Sequence, residues 1–434
     1  MNLTLAFRHV RLLRVLSRRW QRHFIFMMGG LVVGLAGVGM AFAADAAQAA
    51  FRSALHVSPY AGFILTPLGF GLAAWAGIHI FPNIQGSGIP QVIAARQLKS
   101  TGARGKLVGL RAAIGKILLT TLGLAVGAST GREGPTVQVG ASVMFMIGRL
   151  SPRRQPGLIL AGAAGGIAAA FNTPLAGIVF AIEEMSRSFE VRTSGLIIGA
   201  VILAGLTSLA TYGNYTYFGS TSATLAWGAW MVVPVCGIIG GLCGGLFSRI
   251  LIEVPTGVPG KAGDWIKRRP IAFAAVCGLL VAICGFMTGG AVNGTGYAQA
   301  RAVLHGAHNL SFVYAPLKFI ATTISSISGL PGGLFSPSLS VGAGLGADLA
   351  YLFPHAPIGA IVLIGMVSYF TGVVQAPITS FVIVSEMTDN NGLLIPLMTA
   401  ALIANACSRL VCKEGVYHAL SHRYLHGKHE EEAR

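Results

Sequence analysis

The sequence predicts an all-α polytopic membrane protein whose helices are repeatedly broken. Three observations carry that prediction. Of 434 residues, 53% are hydrophobic and only 10% are charged, with a mean hydropathy of +0.69, a balance foreign to soluble domains. Uncharged runs cover 24–44, 158–182, 193–248, 270–300, 319–347 and 349–385, each reaching the roughly 20 residues a bilayer crossing needs. Gly/Pro-rich interruptions also recur at matching places in the two halves of the chain.

The N-terminus carries Arg8, Arg11, Arg14, Arg18, Arg19 and Arg22. Residues 1–23 read as a basic amphipathic helix on the cytoplasmic surface. The run 24–44 reads as a retained first span rather than a signal peptide, because its basic flank and apolar core are both too long. The net charge of +17 comes mostly from this segment and from short loops, such as Lys261, Lys267, Arg268 and Arg269. Orientation explains that distribution better than nucleic acid does, and both termini are expected in the cytoplasm. Cys236, Cys243, Cys277, Cys284, Cys407 and Cys412 contain no C-x-x-C pair and read as packing residues. Neither a disulfide framework nor a metal site is expected.

After apolar segments at 24–44 and 60–81 comes Gly86-Ser87-Gly88-Ile89-Pro90, then a helical stretch from Gln91 to Lys99. Arg96, Lys99, Arg104, Lys106 and Arg111 mark a cytoplasmic loop, and Lys116 opens the approach to the next motif. Gly131-Arg132-Glu133-Gly134-Pro135 interrupts two apolar segments, 117–131 and 136–147. Glu133 is the sole carboxylate between Asp45 and Glu183. An ionisable group alone at membrane depth is a functional-site hypothesis by default. Glycines let the backbone leave a helix, and Pro135 suits the first position of a new one.

Arg149, Arg153 and Arg154 mark another short loop. Asn172-Thr173-Pro174 is a further break inside 158–182, a segment that ends at Glu183-Glu184. Those two glutamates face sides about 100° apart on a helix, so one can be wet and the other buried. Segments 195–212, 227–248 and 271–289 carry no motif. Ser325 to Pro337 is the third Gly-rich turn, followed by apolar helices at 349–375 and 378–388. A last segment, 393–412, precedes a polar tail containing Tyr417.

The halves repeat. At an offset of 202, Gly131, Pro135, Val139, Gly140 and Ala141 fall on Gly333, Pro337, Val341, Gly342 and Ala343. At 203, Pro174 falls on Pro377 and Glu183 on Glu386. The expected division is 1–23, a first repeat at 24–215, a second at 216–412 and a tail at 413–434. Matched breaks in two halves point to a transporter with its substrate near the midplane.

Three helix N-termini, after Pro90, Pro135 and Pro337, can converge. They offer N–H donors and positive dipole ends, which bind anions, together with a hydroxyl and no full positive charge. Such a site holds a monovalent anion loosely enough to release it. Glu133 would occupy it when ionised and vacate it when protonated, coupling anion movement to proton movement.

Gly86–Pro90, Gly131–Pro135 and Gly332-Gly333-Leu334-Phe335-Ser336-Pro337, in this order and spacing, resemble the selectivity-filter motifs of the CLC chloride channel and transporter family. The resemblance runs from about residue 24 to 420 and includes 172–185 and 375–390. It implies a CLC-type fold of two inverted repeats with many tilted, broken helices. It implies that Ser87, the amides of Leu334 and Phe335, and the Tyr417 phenol bind chloride. Glu133 would be the gate and outer proton carrier, and Glu184 the inner proton-transfer residue of exchangers. It further implies two anions moved per proton, and a homodimer with the 174–185 and 377–396 helices at its interface. Acids usual after the first motif in related exchangers are replaced here by Gln91, Ile93 and Gln97, which leaves the proton route to Glu184 open. No regulatory nucleotide domain and no cofactor are expected; chloride is the substrate.

The reading is therefore a proton-coupled chloride antiporter in the plasma membrane, the inner membrane in a Gram-negative cell. The same-class alternative is a passive voltage- or pH-gated chloride channel. An intramembrane enzyme using Ser87 as nucleophile would need a histidine base. The histidines (positions 9, 23, 56, 79, 305, 308, 355, 418, 422, 426 and 429) lie mainly near predicted ends or loops.

Overall fold

The computed structural model describes residues 3–186, 191–213, 216–257, 259–306 and 311–426. The first half contains α1 (Leu3–Val57), α2 (Gly62–His79), α3 (Ile89–Gln97), α4 (Thr101–Val108), α5 (Leu110–Ala125), α6 (Glu133–Gly148), α7 (Gln155–Phe171), α8 (Pro174–Phe180) and α9 (Val191–Tyr212). The second half contains α10 (Val232–Thr256), α11 (Lys261–Arg268), α12 (Pro270–Met287), α13 (Tyr297–Leu304), α14 (Tyr314–Ile327), α15 (Phe335–Ala350), α16 (Ile358–Val374), α17 (Pro377–Thr388), α18 (Leu394–Val411) and α19 (Val416–His426). α8 continues into a π-helical turn at Ala181–Ser186. No strand forms among the described residues.

Six described segments are long and apolar enough to cross a membrane, among them Phe24–Val57, Gly62–His79 and Pro270–Met287. Large side chains stay outside on them, including Leu68 on α2 and Phe286 on α12. A continuous apolar exterior of that kind needs lipid around it. The helices that carry the motifs are shorter: α3 has 9 residues and α8 has 7. At about 1.5 Å per residue they reach only part of the way across.

The repeat seen in the sequence becomes a repeat of elements. α6 and α15 are each 16 residues long, and α7 and α16 are each 17. α7 ends on Asn172 at φ 56° and α16 on Gln375 at φ 56°, left-handed caps that turn the chain sharply into α8 and α17. Both α7 from Gly157 and α16 from Gly359 are buried to their ends, and they form the centre of the molecule. The close crossing of α6 on α7 rests on Gly140 and Gly162, where a Cβ would lie 2.4 and 2.2 Å from the facing carbonyl oxygen. Gly342 and Gly365 do the same for α15 on α16, at 2.6 Å each. Small residues at membrane crossings let backbones approach this closely.

Several expected boundaries are corrected. The surface helix over 1–23 and the span over 24–44 form one helix that runs to Val57. Its alanine-rich stretch 41–50 propagates helix strongly enough that Asp45 does not end it. The side chains of the arginine-rich stretch lie outside the described residues. Pro135 and Pro337 are the third residues of α6 and α15, and Pro90 the second of α3. First-turn N–H groups have no helical partner, so proline is tolerated throughout that turn. The expected 349–375 helix begins at Ile358, because Pro354 and Pro357 interrupt it. The tail is also more ordered than its polarity suggests. α19 packs against α3 and buries Val416, Tyr417 and Ser421.

Candidate functional site

The three Gly-rich turns meet. Gly86 N–H donates to the Leu330 carbonyl at 3.2 Å, and Gly332 N–H to the Gly86 carbonyl at 3.1 Å. Gly131 and Gly333 exchange a reciprocal pair at 2.8 and 2.7 Å. These bonds satisfy buried turn backbone and bring the amino ends of α3, α6 and α15 to one place. Gly134 sits at the junction, where a Cβ would lie 2.4 Å from Ser87 Oγ and 2.7 Å from the Ser87 carbonyl oxygen.

Glu133, first residue of α6, is completely buried. Its Oε1 accepts from Ser336 Oγ at 2.5 Å. The backbone N–H groups of Glu133 and Ser336 also face the carboxylate. The acid therefore lies where helix amino ends from both halves converge, the position such ends offer an anion. Beside it, Ser87 and Tyr417 are 5% and 0% exposed. The Tyr417 hydroxyl neighbours Ser87, with Glu133 and Glu184 within electrostatic reach. Neither hydroxyl has a hydrogen-bond partner of good geometry in the described chain, although buried hydroxyls nearly always have one. Such a donor pair fits an anion. Leu334 and Phe335 enter α15 at this point, both buried. The Phe335 and Tyr417 rings stack at 6.1 Å between centroids. The residues singled out in the sequence are thus brought together.

The family model described as voltage gated chloride channel matches residues 69–409. This chain belongs to the CLC family. It is 33% identical to the H(+)/Cl(-) exchange transporter ClcA of Yersinia pestis bv. Antiqua (strain Angola), covering 96% of this chain and 91% of that protein. It is 30% identical to ClcA of Salmonella typhimurium, covering 94% and 90%. Among solved structures, a slow cyanobacterial Cl-/H+ antiporter aligns with TM-score 0.79 at 24% identity, over 93% of this chain and 97% of that one. A CLC-type fluoride/proton antiporter aligns with TM-score 0.77 at 22% identity, over 92% and 97%.

Within this CLC chain, several structural residues escaped the sequence reading. Two lysines lie buried behind the turns that carry the motifs. Lys116 is fully buried on α5 and donates to the carbonyls of Ile84 and Gly86 at 2.6 and 2.8 Å. Lys318 is fully buried on α14 and donates to the carbonyls of Val292 and Gly294 at 2.8 Å and to Ser129 Oγ at 3.0 Å. The two lysines are 202 residues apart, the offset that relates Gly131 to Gly333. That spacing was a legible signal. Each amino group holds loop carbonyls, and Lys116 does so at Gly86, the residue before Ser87. Arg132, 8% exposed, ties the second motif to α1 through the Ala41 carbonyl at 2.7 Å and Asp45 at 2.9 Å. With Asp45 and Tyr217 it lines a cavity of about 430 Å³.

The adjacent glutamates separate. Glu183 is not a solvated charge: its carboxylate accepts from the N–H groups of Ile378 and Thr379 at 3.1 and 2.6 Å, capping α17. Glu386 returns the contact, accepting from Leu175 and Ala176 at 3.1 and 2.8 Å to cap α8. Glu184 is 3% exposed. His418 Nε2–H donates to the Glu184 carbonyl at 2.7 Å and lies 3.9 Å from Glu184 Oε1. Both residues line a cavity of about 550 Å³ with Glu183, Arg409, Lys413 and Glu414. Gln91 is occupied locally, donating to the carbonyls of Asn83 and Gln85 at 3.2 and 2.7 Å.

Proposed function

We infer that the chain is a secondary active antiporter that exchanges chloride for protons across a membrane. The observation that carries this reading is the Glu133 carboxylate held at the joined amino ends of α6 and α15. A gated passive pathway can use such a group too; the second buried carboxylate, Glu184 beside the opposite cavity, is what favours exchange over a channel. An exchanger needs the titratable group at the anion position, because protonation removes the charge that competes with chloride and the acid can then leave the site.

Chloride is assigned to the hydroxyls of Ser87 and Tyr417 and to the amides of Leu334 and Phe335, with no cofactor or metal. Glu133 gates the pathway and exchanges its proton on the Arg132 side. Glu184 passes protons on the opposite side and receives them from the cavity that it shares with His418. That route does not require acids at positions 91, 93 and 97.

The reading puts this cavity on the cytoplasmic side, with both termini there; the basic stretches 96–106 and 149–154 and Arg409 and Lys413 support it. The exposed Leu175, Ile378 and Ile395 fit a homodimer contact of the α8 and α17 region. The reading also retains the division into repeats at 24–215 and 216–412, flanked by 1–23 and 413–434. The test is flux from chloride-loaded liposomes with a pH electrode outside. Chloride leaving should draw protons in against no imposed proton gradient; chloride flux with no linked proton movement refutes the antiport.

A further inference from the structure

Ser336 is the last residue before the proline of the third motif, and its hydroxyl has no role in the chloride ligand set above. It is the second residue of α15 and 1% exposed. Buried serines on these helices commonly spend their proton on the carbonyl four residues back, as Ser142 does on Gln138 and Ser380 on Ala376. Ser336 instead points its hydroxyl at Glu133 Oε1, 2.5 Å away. Its second neighbour is the Tyr217 hydroxyl at 3.4 Å. An ionised carboxylate only accepts, so the Ser336 proton goes to Glu133 and Tyr217 donates to Ser336. The two hydroxyls form a polarised chain ending on the carboxylate.

The Ser336 oxygen is held at this spot by its place in the buried first turn of α15, with the Tyr217 hydroxyl behind it. When Glu133 is protonated and withdraws, the hydroxyl stays beside the position the carboxylate leaves. Chloride there is also an acceptor without donors. We propose that the Ser336 hydroxyl is a side-chain anion ligand shared in turn by the Glu133 carboxylate and by the transported monovalent anion. It rests on the antiport reading for the alternation, but the ligand claim stands on the geometry alone. It adds a side-chain donor to an outer position otherwise built from backbone amides, and it links the affinity for chloride to the grip on the gate.

The test compares chloride binding, by titration calorimetry in detergent, to Glu133→Ala and to Glu133→Ala/Ser336→Ala. Removing Glu133 leaves the position to the ion. Loss of a hydrogen bond to a charged partner should weaken chloride binding about tenfold, and Ser336→Thr in place of Ser336→Ala should restore it. In the Glu133-intact protein, Ser336→Ala removes a donor that favours the ionised gate. Chloride flux should then persist to higher pH, with its alkaline limb moved up. Unchanged chloride affinity in the double variant overturns the ligand claim. An unmoved pH profile overturns the shared role. Wild-type flux without proton movement would sink the antiport reading instead, leaving the binding comparison to decide on Ser336.

Discussion

Glu183 and Glu184 are neighbours of identical chemistry, yet the structure gives them unrelated duties, and one substitution at each separates them. Glu183→Gln keeps size and one acceptor oxygen but loses the charge and one of two bonds to the α17 amino end. A carboxylate at a helix N-terminus contributes about 0.3–2 kcal/mol, and a hydrogen bond to a charged group about 1.5–3 kcal/mol. The group is partly exposed, so roughly 1–2 kcal/mol of lost stability is expected. Glu386→Gln, at its counterpart capping α8, should cost a similar amount. Denaturant unfolding in detergent measures both, and the transport assay should find proton coupling intact in each. Glu184→Gln should do the reverse, stopping proton movement while chloride still flows, at a stability cost below that of Glu183→Gln. The reasoning fails if Glu183→Gln uncouples a folded protein, or if Glu184→Gln destabilises as much as its neighbour.

Other outcomes follow from the same geometry. Gly134→Ala would force a Cβ to 2.4 Å from Ser87 Oγ; chloride flux should fall at least about tenfold, since displacement of a positioned ligand by ~1 Å is costly. Lys116→Met strands the buried Ile84 carbonyl, at about 1–3 kcal/mol, while the Gly86 carbonyl keeps its bond from Gly332 N–H; thermal unfolding in detergent should show a clear loss of stability. Phe335→Leu, removing the ring stacked on Tyr417, should cost about 1 kcal/mol or more and weaken chloride binding measured by calorimetry.

Much of this architecture is legible in the chain because membrane helices break visibly. A run of apolar residues interrupted by Gly, a polar group and Pro has few other meanings, and the break at Glu133 exposes its lone carboxylate. The duplication at 202–203 residues likewise shows in Gly131 and Gly333 and in Pro174 and Pro377. What was not legible depends on which loops meet. Glu183 finds Thr379 across 196 residues, and Glu386 finds Ala176 across 210; no local period encodes either partner. Lys116 and Lys318 repeat at the same offset as the glycines, but only the folded loops reveal which carbonyls they hold. Tyr417 lies in a polar tail whose composition does not show burial; the docking of α19 on α3 buries it. The length of α1 was missed because composition marks where a bilayer ends more clearly than where a helix does.

The most direct measurement is paired chloride and proton flux for Glu133→Ala in chloride-loaded liposomes. If this carboxylate both fills the anion position and carries the proton, its removal leaves chloride flux in place and abolishes linked proton movement. Proton uptake still driven by the chloride gradient in that variant would contradict the account.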